Sequence, residues 1–243
     1  MHVASLTIIW SIRGQDPQLQ ARKETARSSA ETQERTRAAT KGSSQERCVE
    51  STDVNLGPTP SDDGEIENDS QIIAATQRWL EKAVIGLNLC PFAAGAHLRK
   101  QIRYTVSSQQ RNAGLVIDLA HELRFLHDTD PVLCETSLLI HPQVLTNFRD
   151  YNEFLDEADD ALRDLGFEGE LQIASFHPQY QFADSAPDDI ENYTNRSPYP
   201  MLHLLRETSV TRAVQTYPGV LDIADRNRAT LRNLGKAGWQ RLL

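Results

Sequence analysis

What this chain lacks narrows its options first. Its three cysteines, Cys48, Cys90 and Cys134, form no CxxC pair and leave an odd count. That disfavours a secreted disulfide framework and fits free thiols in a reducing, cytoplasmic setting. No apolar run approaches the ~20 residues of a membrane span, so no membrane role is expected. The apolar stretch at residues 3–12 is short, has no basic flank ahead of it and no small-residue cleavage site after it, which makes a poor signal peptide. The chain has no GxGxxG, no GxxxxGK followed by Ser or Thr, no HExxH and no GxSxG. Those absences remove the well-marked nucleotide, metalloprotease and α/β-hydrolase chemistries, and no motif names a cofactor. Aromatic residues are almost missing from residues 1–70, where Trp10 stands alone.

That aromatic-poor stretch is rich in Gln, Glu, Ser, Thr and Arg, and it reads as a disordered, low-complexity N-terminal extension. Arginines 13, 22, 27, 35 and 37 among Ser and Thr would also suit an organelle transit peptide, a reading that Asp16, Glu24, Glu31 and Glu34 weaken. Translated upstream sequence would have the same composition. From about residue 71 to the end, apolar periodicity is continuous, and residues 71–243 are expected to form a single globular domain large enough for a sizeable core. The net charge of −9 argues against a general nucleic-acid binder, because phosphate affinity needs a concentrated basic face.

The spacing predicts a helix over about 72–87, with Asp69 or Ser70 as its cap, and further helices over about 112–126 and 148–165. Strands are expected at 102–107, 136–141 and 171–176, where β-branched and apolar residues run or alternate. Pro200 reads as the first position of a fourth helix, and a last helix should cover about 221–234, ended by Gly235. A fourth strand is sought in 95–100 or 179–184. The alternation implies a small layered α/β domain. Its three- to four-stranded sheet would be at least partly parallel and flanked by helices.

The richest stretch is residues 176–206, which holds three of the six tyrosines and four of the eleven prolines. A long aromatic loop between regular elements costs ordering entropy, so its presence points to a site. His177 and His141 each follow a predicted strand directly. In a parallel arrangement both would emerge at the carboxyl edge of the sheet, where open α/β folds bind ligands. His177 is the candidate acid or base, and Cys90 the candidate nucleophile, with His177 as its base across space. Asn195 and Arg196 would hold an anion at the start of the fourth helix. Tyr180 and Tyr199 would wall the pocket together with Tyr193, and His203 would line it. Structural alternatives stand beside these: a strand-end cap for His177 and His141, a place in the Met201–Leu205 packing surface for His203, a small buried hydrophobe for Cys90 and a loop anchor for Arg196. A metal set drawn from His177, Asp184, Asp188 and Glu191 matches no ligand spacing, and no metal is assigned.

Four motifs resemble a known family. They are GLNLCPFA (Gly86–Ala93), FHPQYQFAD (Phe176–Asp184), NRSPYPMLHLLRE (Asn195–Glu207) and RNRATLRNLG (Arg226–Gly235). Together they resemble an uncharacterised bacterial family, the domain of unknown function numbered 1415, over about Ile72 to Leu234. The resemblance implies no activity. The expected function is therefore that of an enzyme or small-ligand protein acting on an anionic metabolite through the 176–206 loop. The alternative is a non-catalytic interaction module that docks through the same Tyr- and Pro-rich loop. Oligomeric state is left open.

Overall fold

The computed structural model describes residues 68–183, 185–217, 219 and 222–242. The N-terminal extension lies outside these residues up to position 67, and so does Asp184. Helix α1 (Asp69–Trp79) opens with a capping box in which Asn68 Oδ1 accepts from the Gln71 N–H at 3.0 Å. The Gln71 side chain in turn accepts from the Asn68 N–H at 2.9 Å, so two of the helix's orphan donors are met. The chain continues as a π-helical turn, Leu80–Ile85, then a short helix α2 (Ala93–Leu98) and strand β1 (Ile102–Val106). Helix α3 (Asn112–Asp128), β2 (Thr136–Ile140), α4 (Phe148–Asp164) and β3 (Leu171–Phe176) follow. The last elements are β4 (Met201–Arg206), α5 (Glu207–Thr216) and α6 (Ile223–Gln240). Helix α6 is broken at Gly235, whose φ of 65° is left-handed.

The four strands form one mixed sheet in the order β1-β2-β4-β3. β1 and β2 are parallel, and β4 runs antiparallel to both β2 and β3. Strand alternation divides the side chains between two helical layers. On the first face Leu139, Leu171, Leu202 and Leu204 meet Leu115, Leu119 and Leu123 of α3 and Tyr151, Phe154 and Leu155 of α4. On the second, Leu138, Ile140 and Met201 meet Ile72 and Trp79 of α1, Leu80 and Val84 of the π turn, and Leu231 and Trp239 of α6. Every residue of β2 is buried, as expected of an interior strand covered on both faces.

One element differs from expectation. Met201–Arg206 is a strand, the missing fourth, and the helix expected from Pro200 is not there. A proline can open a strand as readily as a helix because its missing N–H leaves no ladder bond unmade there. The six-residue run MLHLLR is also too short for its period to decide between the two. Neither stretch searched for a fourth strand contains one: Ala93–Leu98 is helical, and residues 179–183 have no strand. Among the described residues no helix is long and apolar enough to cross a membrane.

Candidate functional site

The chain leaves the π turn through Gly86-Leu87-Asn88-Leu89-Cys90-Pro91-Phe92, and this loop is built to one geometry. The wide turn brings its own carbonyls inward, with the Gly86 N–H bonded to Glu81 O at 2.9 Å and the Leu89 N–H to Val84 O at 2.9 Å. A β-carbon at Gly86 would stand 2.3 Å from Lys82 O, so only glycine fits. Gly86→Ala is expected to cost about 1–3 kcal/mol by overpacking, read as a lower denaturation midpoint. A variant within 0.5 kcal/mol of the parent, about the spread of a neutral surface change, would show that the turn relaxes freely. From α6, Asn227 Nδ2 donates to Leu89 O at 2.8 Å, pinning the loop from outside. π-helical turns are rare and occur often at functional sites.

Cys90 leaves this loop facing a cavity of about 440 Å³ on the second face of the sheet. The cavity floor is Ile102 of β1, Thr136 and Leu138 of β2, and His203 and Leu205 of β4, with Phe176 at one end. The walls come from Trp79, Leu80 and Val84, from Pro91, Phe92 and Ala96, and from Val210 and Ala213 of α5. Most of this lining is apolar and only a few polar groups converge on it, the usual make-up of a small-molecule site.

His203 is the central polar group. Thr136 Oγ1 donates to Leu204 O at 2.5 Å, so it accepts from His203 Nε2 at 2.8 Å. That fixes the Nε2–H tautomer and leaves Nδ1 as a bare acceptor. Burial alone lowers the His203 pKa to about 4, so the ring is neutral at pH 7. Burial also raises the Cys90 thiol, outweighing the backbone N–H groups of Phe92 and Ala93 that pull it down. The charged groups lining the cavity include Arg99, Glu135 and Arg212. Arg212 pairs with Glu135 at 3.1 Å and is two-thirds exposed.

The other sequence candidates lie elsewhere. His141 and His177 do emerge at the same edge of the sheet, at the ends of β2 and β3, but both are fully buried on its first face. Their rings stand 5.7 and 5.1 Å from that of Tyr151 on α4. His177 Nε2–H donates to Leu145 O at 3.1 Å, and its Nδ1 accepts from the Gln179 N–H at 3.0 Å, so both nitrogens are engaged. His141 Nδ1–H donates to Val144 O at 3.0 Å. Between them they hold the 141–147 loop, in which Leu145 has a left-handed φ of 58°, a strain that persists only when neighbours over-determine it. Desolvation lowers both histidines to about 4. Cys90 and His177 face opposite sides of the sheet, so His177 does not serve Cys90 as the base across space.

The 176–206 loop is held inward. Asn192, fully buried, accepts from the Phe182 N–H and the Ser185 hydroxyl and donates to Ala186 O. Tyr180 packs on Phe148 and Phe182, Tyr193 on Trp239, and Tyr199 into the second-face core. Arg196 donates to Tyr180 O at 3.3 Å and Pro187 O at 2.6 Å, and lies 4.3 Å from the Tyr193 ring centroid. It is a loop anchor, and since β4 replaces the expected helix there is no helix N-terminus beside it. Asn195 Nδ2 donates to Ser175 O at 3.1 Å, while its buried Oδ1 has no partner. Among the described residues no three His, Cys, Asp or Glu side chains group as metal ligands would. Asp184, named in the unassigned metal set, lies outside them.

Of the candidates named from the sequence, the cavity therefore gathers Cys90 and His203. Thr136 was missed, although its place in the TSLLI alternation puts it on the same face as Leu138.

The profile of the family described as "Protein of unknown function (DUF1415)" matches residues 71–241. The chain belongs to that family. All four motifs fall within the match, and three of them supply cavity or loop residues: Cys90 from the first, Phe176 from the second and His203 from the third. Among curated proteins and solved structures none matches the chain.

Proposed function

We propose that this domain binds a small, mostly apolar and uncharged molecule in the cavity above the second face of the sheet. A single hydrogen-bond donor on that molecule would be met by His203 Nδ1. The observation that carries this reading is the neutrality of the floor. His203 is held unprotonated, Cys90 is held as the thiol, and Thr136 takes the Nε2–H of a ring that lines the cavity, which leaves Nδ1 as its one open acceptor. A charged head group would forfeit its hydration there without a buried counter-charge. An apolar body would gain about 25 cal/mol for each Å² it removes from water. The anionic ligand expected at Arg196 gains no support from a guanidinium already engaged by two carbonyls and a ring. A docking role for the 176–206 loop gains none from tyrosines packed inward.

The probe is N-phenyl-1-naphthylamine, a neutral aromatic with one N–H donor. It is expected to bind with enhanced fluorescence. Ala93 also lines the cavity, and Ala93→Trp, which puts an indole there, should abolish that enhancement. His203→Phe should keep the volume and weaken binding about fivefold, the worth of one neutral hydrogen bond. Equal binding by Ala93→Trp and the parent would overturn the reading.

A further inference from the structure

The sheet ends on β1, and among the described residues no strand pairs with its outer edge. The Thr136 N–H bonds to Gln101 O at 3.3 Å and the Ser107 N–H to Ile140 O at 2.7 Å. The backbone groups of the odd-numbered residues therefore face β2, and those of Ile102, Tyr104 and Val106 point away from it. Every residue of β1 is half-buried, whereas every residue of the interior strand β2 is buried. A free edge is a template for another strand unless Lys, Pro or a bulge blunts it. β1 has no Lys and no Pro, its register with β2 is unbroken, and its one charge, Arg103, is paired with Glu122 at 2.9 Å.

Apolar exposure gathers along the same edge. The exposed large apolar side chains among the described residues are Leu98, Ile117, Phe125, Val132 and Leu133. Leu98 stands just ahead of β1, and Val132 and Leu133 lie in the turn that Gln101 Nε2 holds through Val132 O at 2.7 Å. The Phe125 ring centroid is 4.1 Å from the Arg103 guanidinium. Ile117 adjoins Asp118, which accepts from the Ser107 hydroxyl at 2.7 Å. Five such side chains expose on the order of 500 Å², the scale of apolar patches that serve as docking surfaces.

We propose that this edge pairs with the β1 edge of a second copy, antiparallel, about a twofold axis through Tyr104. The three outward residues match themselves in that register. Ile102 faces the partner's Val106 and Tyr104 the partner's Tyr104, so each open N–H and C=O meets its complement. The same axis sets the Leu98, Val132 and Leu133 end of one copy against the Ile117 end of the other. Two copies would bury on the order of 1,000 Å², where specific interfaces begin. This pairing is independent of the apolar cavity and stands whether or not that cavity takes a ligand.

The test is sedimentation of the full chain at up to about 100 µM, which populates even a micromolar complex. The expected result is a dimer with twice the chain's 27.3 kDa. Val132→Lys combined with Leu133→Lys should raise its Kd at least about tenfold, because the twofold axis counts each buried ammonium twice. Both side chains are 73 % exposed, so the fold does not depend on them. Val106→Pro deletes one outward N–H and no bond to β2, and it should weaken the dimer as well. Glu157→Lys, exposed on α4, should leave the dimer unchanged. A parent that stays monomeric overturns the proposal, whether residues 1–67 or another protein takes the edge. So does a dimer that the lysine pair or the proline leaves as tight as the parent's, or one that Glu157→Lys weakens equally. Should Val106→Pro fail to fold, the lysine pair decides alone.

Discussion

Replacing Arg206 with methionine is expected to cost about 3–5 kcal/mol of folding stability. Arg206 ends β4, is 8 % exposed and has no carboxylate partner among the described residues. Its Nη2 lies within hydrogen-bonding distance of the carbonyls of Leu126, Thr129 and Cys134. Two of these are at the carboxyl end of α3, where the last carbonyls lack helical partners and the helix dipole favours a cation. Methionine keeps the apolar stem and removes every donor, so buried carbonyls from α3 and the 129–134 turn are left unmet. Chemical denaturation of the variant at neutral pH measures this directly. A loss below about 1 kcal/mol, the typical net worth of a single hydrogen bond, would mean that water or backbone movement replaces the guanidinium.

Acid should destabilise the domain well before its carboxylates titrate. His141 and His177 have folded pKa values lowered to about 4 by burial, against an ordinary value of 6.5. The unfolded chain therefore takes up protons that the folded chain refuses. The stability these two histidines contribute is present above pH 6.5 and is lost as pH falls from there toward 4. Going from pH 7 to about pH 5 should cost about 2 kcal/mol for each histidine. His203, also lowered to about 4 by burial, adds a third share of the same size, so denaturation midpoints at the two pH values measure the sum of all three, and the histidine resonances of the folded protein measure the cause. Those of His141 and His177 should stay in their neutral form down to about pH 5. Midpoints near 6.5 would show that water reaches both rings.

The sheet and its main helices were legible because their signals are long and periodic. The inner stripe of α4 and the alternation in β1 each fix one face. β4 was not legible because MLHLLR is short and apolar on both faces, and Pro200 is compatible with either element. That one misreading moved the candidate residues. As a helix, the segment pointed to Arg196 and a helix N-terminus. As a strand, it sets His203 beside Thr136 on the floor of a cavity roofed by the Cys90 loop. The aromatic loop 176–206 stands out in the sequence, but its tyrosines and Asn192 order the loop itself.

Whether the neutral cavity takes an uncharged ligand on His203 Nδ1 is read by ¹⁵N NMR of the histidine side chains. In the free protein His203 should show a protonated Nε2 and a bare Nδ1. On saturation with N-phenyl-1-naphthylamine, the Nδ1 resonance should move as it accepts the probe's N–H. His141 and His177, on the other face, should stay in place. Saturation that leaves His203 unmoved, or a free protein whose His203 is protonated at neutral pH, would contradict the account.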